Sequence, residues 1–200
     1  GVYQKNEIDI VGFVTGVVER DQIITGKDIK AGDVILGIGS NGLLTNGFSL
    51  ARKIMFEVGN FSVNDTIEEL GETVGEAMMA PHLNFTKPIR AILDAGIKVN
   101  GMAHITGGGL TGNIPRILPK KLSAQIDKST WPKLPIFSII QDIGKIKESE
   151  MYQTFNMGIG IVIILPESKA EKALGQIDKL SNFQIYEIGK VVKGKNEVIF

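Results

Sequence analysis

The stretch from Gly101 to Pro119, GMAHITGGGLTGNIPRILP, most constrains what this chain can fold into. An apolar lead reaches His104, three glycines follow at Gly107, Gly108 and Gly109, and Gly112 comes close behind. Asn113 and Pro115 then read as an N-cap and an early position of a short helix. A strand feeding a glycine loop and a helix start brings backbone N–H groups together, and that arrangement holds anions. Glycine suits it because a Cβ would block close approach and positive φ angles. A tight connection without a ligand is the other reading of the same glycines. The nucleotide fingerprint G-x-x-x-x-G-K-[ST] is absent from this stretch. His104, with two residues between it and the first glycine, tilts the balance towards a site, where it would donate to a phosphate or shuttle a proton.

Composition excludes several classes. Basic and acidic residues balance at 22 each, which gives no electrostatic footprint for nucleic acid. The absence of cysteine removes disulfides, thiolate metal sites and thiol nucleophiles. The longest apolar run, Ile161 to Leu165, is too short to span a bilayer. A hydrophobic content of 43% is enough for a true core.

Periodicity predicts the elements. Residues 8–19 are rich in Val and Ile and read as a buried strand, with Gly12 and Gly16 marking bulges or close packing. A strand is expected over 33–38, followed by a second glycine-containing loop, Gly39-Ser-Asn-Gly42. Helices are expected at 48–58, closed by Gly59, at 66–79, at 85–95, from Pro135 and over 170–180. Further strands are expected at 97–105, 122–126, 157–165, 184–192 and 196–200, while 145–153 reads as a polar, solvated segment. Alternating elements from residue 33 onward predict a layered α/β or α+β domain. The first thirty residues read as the last strand of another unit and a connector, and the opening Gly1-Val-Tyr-Gln reads as the interior of something longer.

Several stretches together resemble the aminoimidazole ribonucleotide synthetase family, also called phosphoribosylformylglycinamidine cyclo-ligases. They are Gly1-Val-Tyr with Asp9-Ile-Val-Gly-Phe13, Gly39-Ser-Asn-Gly42 through Thr45-Asn-Gly-Phe-Ser-Leu-Ala-Arg52, Met79-Ala-Pro81 with Lys87-Pro88, Ala103-His-Ile-Thr-Gly-Gly-Gly-Leu110 with Asn113-Ile-Pro115, and Glu150-Met-Tyr-Gln-Thr-Phe-Asn-Met-Gly-Ile-Gly160. The resemblance implies a cytoplasmic step of purine synthesis, in which formylglycinamidine ribonucleotide and ATP give aminoimidazole ribonucleotide, ADP and phosphate. It implies phosphorylation of the formyl amide oxygen, attack by the amidine nitrogen, and Mg²⁺ with ATP held largely by an N-terminal half that also forms a homodimer. Residues 1–30 then correspond to the end of that half and 31–200 to the C-terminal domain, for which the resemblance implies an α+β fold, a layered α/β arrangement of a mixed sheet flanked by helices. Leu44 departs from the pattern, because the family usually carries a histidine there.

These readings single out His104 as the catalytic candidate and Thr106, Gly107, Gly108, Gly109 and Asn113 as the phosphate loop. Ser40, Asn41, Thr45 and Asn46 stand as polar liners or as ordinary turn and cap residues. Asn156 reads as a packed turn residue, His82 as a surface or capping group, Trp131 as a core anchor, and Met78, Met79 and Met151 as core filler. No metal ligands are expected in this chain. The function expected is the C-terminal half of an ATP-dependent cyclo-ligase, inactive alone; a non-catalytic fragment or anion-binding module of the same fold is the other reading.

Overall fold

An interior strand of the sheet is the most apolar stretch of the chain. The computed structural model describes Ile8 and residues 10–200. In it Ile159–Leu165 lies buried along its whole length between two other strands. Such a strand needs apolar residues on both faces, and IGIVIIL supplies them with one glycine interruption.

In chain order the elements are β1 (Val34–Gly39), α1 (Phe48–Arg52) running on into a π-helical turn (Lys53–Val58), β2 (Thr66–Ile67), β3 (Glu72–Thr73), α2 (Val74–Met78), α3 (Thr86–Asp94), β4 (Gly101–His104), α4 (Gly109–Asn113), β5 (Leu122–Ile126), α5 (Pro135–Gly144), α6 (Glu148–Thr154), β6 (Ile159–Leu165), α7 (Ala170–Ile177), β7 (Ile185–Lys193) and β8 (Val198–Ile199). Six strands form one sheet in the order β4-β6-β1-β7-β5-β8. Every pairing in it is antiparallel except β5 with β8. The sheet is therefore mixed, with helices on both faces, as the resemblance implies.

One face carries Ile35, Val162, Ile164 and Ile188 against Ala51, Met55, Phe137, Ile140 and Met151 of the helices. The other carries Val34, Leu36, Ile38, Ile161, Ile163 and Leu165 against Ile92 of α3 and Ala173 and Ile177 of α7. α5 opens on Pro135, whose fixed φ and missing N–H suit the first helical turn.

Three expectations are corrected. Residues 66–79 do not form one helix: a short hairpin, β2 with β3, turns at Gly71, and only Val74–Met78 is helical. The reason is local, since Thr73 and Glu76 form a reciprocal capping box that fixes the helix start at Val74. Residues 145–153 are not merely a polar segment. Glu148–Thr154 is a helix that turns its acids outward and buries Met151 and Tyr152. Met79 is 81% exposed rather than core, because α2 ends there before the chain turns at Pro81.

The N-terminal stretch is a fourth correction. Residues 1–7 and Asp9, part of the expected strand, lie outside the described residues. Residues 10–19 enter no strand, and Phe13, Val14 and Val17 are 93%, 93% and 99% exposed. Gly12 and Gly16 meet nothing within 4 Å, so neither marks close packing. A Val/Ile run becomes a buried strand only where neighbouring strands satisfy its N–H and C=O groups. No such neighbour stands among the described residues.

Candidate functional site

Topology gathers the sequence-predicted residues at one end of the sheet. β1 and β4 both pair antiparallel with β6, so the loops that follow them emerge beside the turn that precedes β6. That turn, with the last residues of α6, forms a bracket from Tyr152 to Gly158 that holds both loops. Asn156 is fully buried and donates through Nδ2 to the carbonyls of Gly42 (2.8 Å) and Leu43 (3.1 Å). Its Oδ1 accepts from Ser40 Oγ (2.7 Å) and from Gly158 N–H (2.8 Å). Asn46 Nδ2 donates to Thr154 O (2.7 Å), and Thr111 Oγ1 donates to Tyr152 O (3.3 Å). Trp131, buried, donates through its indole N–H to Met157 O (2.9 Å) and anchors the turn from below.

The loop after β1 spends its polar side chains on this scaffold. Ser40 and Asn46 are used as described, and Asn41 Nδ2 donates to Pro81 O (2.9 Å). Thr45 is exposed. Leu44, where the resembling family usually has a histidine, turns into the core. It is 7% exposed, in the apolar cluster of Ile38, Phe85 and Ile161, with a positive φ of 59°. Ser40 and Asn41 line a small cavity of about 220 Å³, and Leu83 is the wall it shares with the larger cleft at His104.

The loop after β4 is built differently. Asn113 closes α4 and stands, as expected, at the N-cap position of a short 3-10 helix, Ile114–Arg116, with Pro115 in its first turn, but its side chain makes no capping hydrogen bond. Its side chain folds back, 4% exposed, and Nδ2 donates to the carbonyls of Thr106 (3.1 Å), Gly107 (3.4 Å) and Gly109 (2.8 Å). Thr106 Oγ1 donates to Asn113 Oδ1 at 3.2 Å. Both side chains therefore brace the loop. Gly109 is demanded by close approach: with φ +57°, a Cβ there would meet Tyr152 O at 2.1 Å. Gly107 is the opposite case, exposed and with nothing within 4 Å of its Cβ position. Gly109 N–H donates to Thr106 O and Gly112 N–H to Gly108 O, whereas the amides of Gly107 and Gly108 find no acceptor among the described residues. The Arg116 guanidinium stands beside Gly108, 3.8 Å from where its Cβ would be. Sequence reasoning missed Arg116; its signal is the helical run that returns it to the loop from eight residues downstream.

His104 ends β4, the edge strand, and is registered against Ile161, which is in turn paired with Ile38. It closes an apolar cross-strand row, so its ring is solvent-accessible on one side and desolvated on the other. Burial, and then the neighbouring His82, hold its imidazole below the usual histidine value, so it is neutral and able to accept a proton at neutral pH. The cleft around it, about 610 Å³, is lined by His82, Leu83, Phe85, Ile89, Met102 and Ile161, with Asn84 and Thr86 at the polar rim. Phe85 lies over the sheet because Gly160 offers no Cβ, which would meet its ring at 2.2 Å. Burial, with Glu148 adding to it, pushes the Tyr152 phenol up to about 12, so it stays protonated.

A second cavity of about 680 Å³, around Lys128 and Phe200 against β5 and β7, holds none of the sequence-predicted residues. Among the described residues no group of three His, Asp or Glu stands together so as to hold a metal ion, so these side chains do not fit a self-contained Mg²⁺ site. Nor is any helix among them long and apolar enough to cross a membrane.

Comparison with known proteins places this geometry. Phosphoribosylformylglycinamidine cyclo-ligase of Thermoanaerobacter sp. (strain X514) is 46% identical over 199 residues, 100% of this chain and 58% of the relative. The Bacillus subtilis (strain 168) protein of the same name is 43% identical over 98% of this chain and 56% of its own length. The chain thus spans less than two thirds of the relatives it matches. Among solved structures, thiamine-monophosphate kinase from Stenotrophomonas maltophilia K279a shares the fold at TM-score 0.61 and 15% identity, covering 91% of this chain and 54% of that one. Hydrogenase maturation protein HypE in complex with ATP does so at TM-score 0.60 and 16% identity, over 90% and 50%. Residues 30–200 match the family described as AIR synthase related protein, C-terminal domain, and the chain belongs to that family.

Proposed function

We propose that this chain is the C-terminal portion of a phosphoribosylformylglycinamidine cyclo-ligase, acting in the complete protein in ATP-dependent closure of formylglycinamidine ribonucleotide to aminoimidazole ribonucleotide. The observation that carries the reading is 46% identity along the full chain to a relative of that name. The geometry supports a division of labour within it. The amides of Gly107 and Gly108, with Arg116 beside them, take the substrate phosphate. His104, neutral and at the mouth of an apolar cleft, accepts a proton from the amidine nitrogen as that nitrogen attacks the activated formyl carbon. The C–N bond forms, the phosphorylated oxygen leaves as phosphate, and the ring closes. Thr106 and Asn113 keep the loop rigid, while Ser40 and Asn46 fix the neighbouring loop; Asn41 and Thr45 remain at its surface, where a substrate can meet them.

ATP binding is supported by the fold it shares with HypE in complex with ATP. We assign most of the nucleotide site, and Mg²⁺, to the portion of the relatives that lies outside this match. On the same reading residues 1–30 are the end of an N-terminal domain and a connector, 31–200 are the C-terminal domain, the complete protein is a homodimer, and it works in the cytoplasm.

The test extends the chain with the N-terminal portion of the Thermoanaerobacter relative and follows ADP release dependent on formylglycinamidine ribonucleotide. Turnover is expected, falling by about 10²–10⁴-fold in His104→Gln. A folded, extended protein that binds the substrate and never turns it over contradicts the reading.

A further inference from the structure

A second histidine stands in the His104 cleft, and the reading above gives it no task. His82 Nδ1 lies 2.7 Å from the carbonyl oxygen of Leu83. A carbonyl only accepts, so Nδ1 carries the proton and, in the neutral ring, Nε2 is bare. The ring meets Phe85 edge-on, with centroids 5.8 Å apart at 85°, and meets His104 edge-on at 5.5 Å and 74°. Phe85 in turn lies 6.1 Å from the His104 ring. His82 is thus held on two sides, by Leu83 O and by the buried Phe85, with its remaining edge against His104. The residue before it is fixed as well, since Pro81 O accepts from Asn41.

We propose that His82 is a positioning residue for His104, the two imidazoles acting as one proton-handling unit in this cleft. The proposal rests on the reading of His104 as the proton acceptor. Its physical content is that a positive charge placed on His82 opposes protonation of His104, whose ring it meets edge-on. The edge-on contact also limits how the His104 ring can turn, which holds it towards the cleft. Among the groups lining the cleft His82 is the only other one that titrates, since Leu83, Asn84, Phe85, Thr86, Met102 and Ile161 carry no charge. Arg116, beside Gly108, is a fixed cation and stays charged in every variant discussed below.

The test uses the fact that the chain has two histidines, so both imidazoles are resolved in one NMR titration. His82→Phe keeps a ring against Phe85 but cannot ionise, and His82→Lys carries a fixed positive charge. The midpoint of His104 is expected to rise in His82→Phe and to fall in His82→Lys. His82→Gln, the smallest perturbation, is expected to follow His82→Phe. In the extended enzyme the acid limb of the kcat/KM profile is expected to move in the same two directions. If the His104 midpoint stays put, or moves the same way in the Phe and Lys variants while their spectra show the native fold, the proposal is overturned. The titration needs no turnover. Midpoints that move as stated in a protein without activity would sink the proposed function and leave the histidine pair standing.

Discussion

The two loops at the top of the sheet, 40–47 after β1 and 106–113 after β4, look alike in sequence and differ in what they leave available. Both are rich in glycine, both carry Thr and Asn, and both are clamped by the Tyr152–Gly158 turn. The first loop turns its polar side chains inward onto Asn156 and Thr154 and buries Leu43 and Leu44. The second also spends its polar side chains on itself, through Asn113, yet leaves an open Gly107 at the surface and brings the Arg116 guanidinium beside Gly108. The lesson is that polar side chains near a site often build the scaffold, and that open backbone amides with a cation beside them mark where an anion can sit.

The comparison breaks most readily at Gly109. Gly109→Ala puts a Cβ on Tyr152 O at 2.1 Å and an L side chain at a positive φ, and is expected to destabilise the fold by about 3 kcal/mol or more in urea unfolding. A neutral result would mean that the two loops are not clamped to the same turn. Next come the two buried asparagines. Asn156→Ala and Asn113→Ala each strand several buried groups and are each expected to cost roughly 1–3 kcal/mol. They separate on binding: Asn113→Ala should abolish phosphate binding by the second loop, while Asn156→Ala should weaken it much less. Equal loss in both would erase the distinction between the loops. Gly107→Ala meets open space, so its stability should stay within about 0.5 kcal/mol of the parent, and phosphate affinity alone should fall.

The smallest effect is one of pH. His104 has its proton affinity lowered in the folded state by burial and by His82. The unfolded chain therefore binds the proton more readily, so this contribution to stability is present above the ordinary histidine range and is lost as pH falls through it. Unfolding midpoints should drop on acidification from neutral pH, and His104→Gln should remove part of that slope. An unchanged slope would show that the ring is not desolvated by its row of Ile161 and Ile38.

Much of this was legible before the structure. The β-branched run of β6, the Pro135 helix start and the His104 strand end follow from periodicity and from local backbone rules. The hairpin at 66–73 was also legible in principle, since Gly71 and the Thr73–Glu76 box both stand in the sequence, but helical spacing of apolar residues outweighed them. Residues 10–19 show the limit of propensity: they have the composition of β6, and only the presence of partner strands separates the two. Asn113 was legible as the N-cap position ahead of Pro115, but not the use of its side chain, which folds back onto three loop carbonyls instead of capping because tertiary packing decides it. His82 and Arg116 reach their neighbours through space, and spacing along the chain carries no sign of it for His82.

The account's central claim is that an anion sits on the second loop beside His104. Amide-resolved NMR titration of the chain with inorganic phosphate tests it directly. Saturable shifts are expected at Gly107 and Gly108, with His104 responding and the 40–47 loop silent. Shifts confined to surface lysines, or spread over the 40–47 loop with Gly107 and Gly108 unmoved, would contradict it.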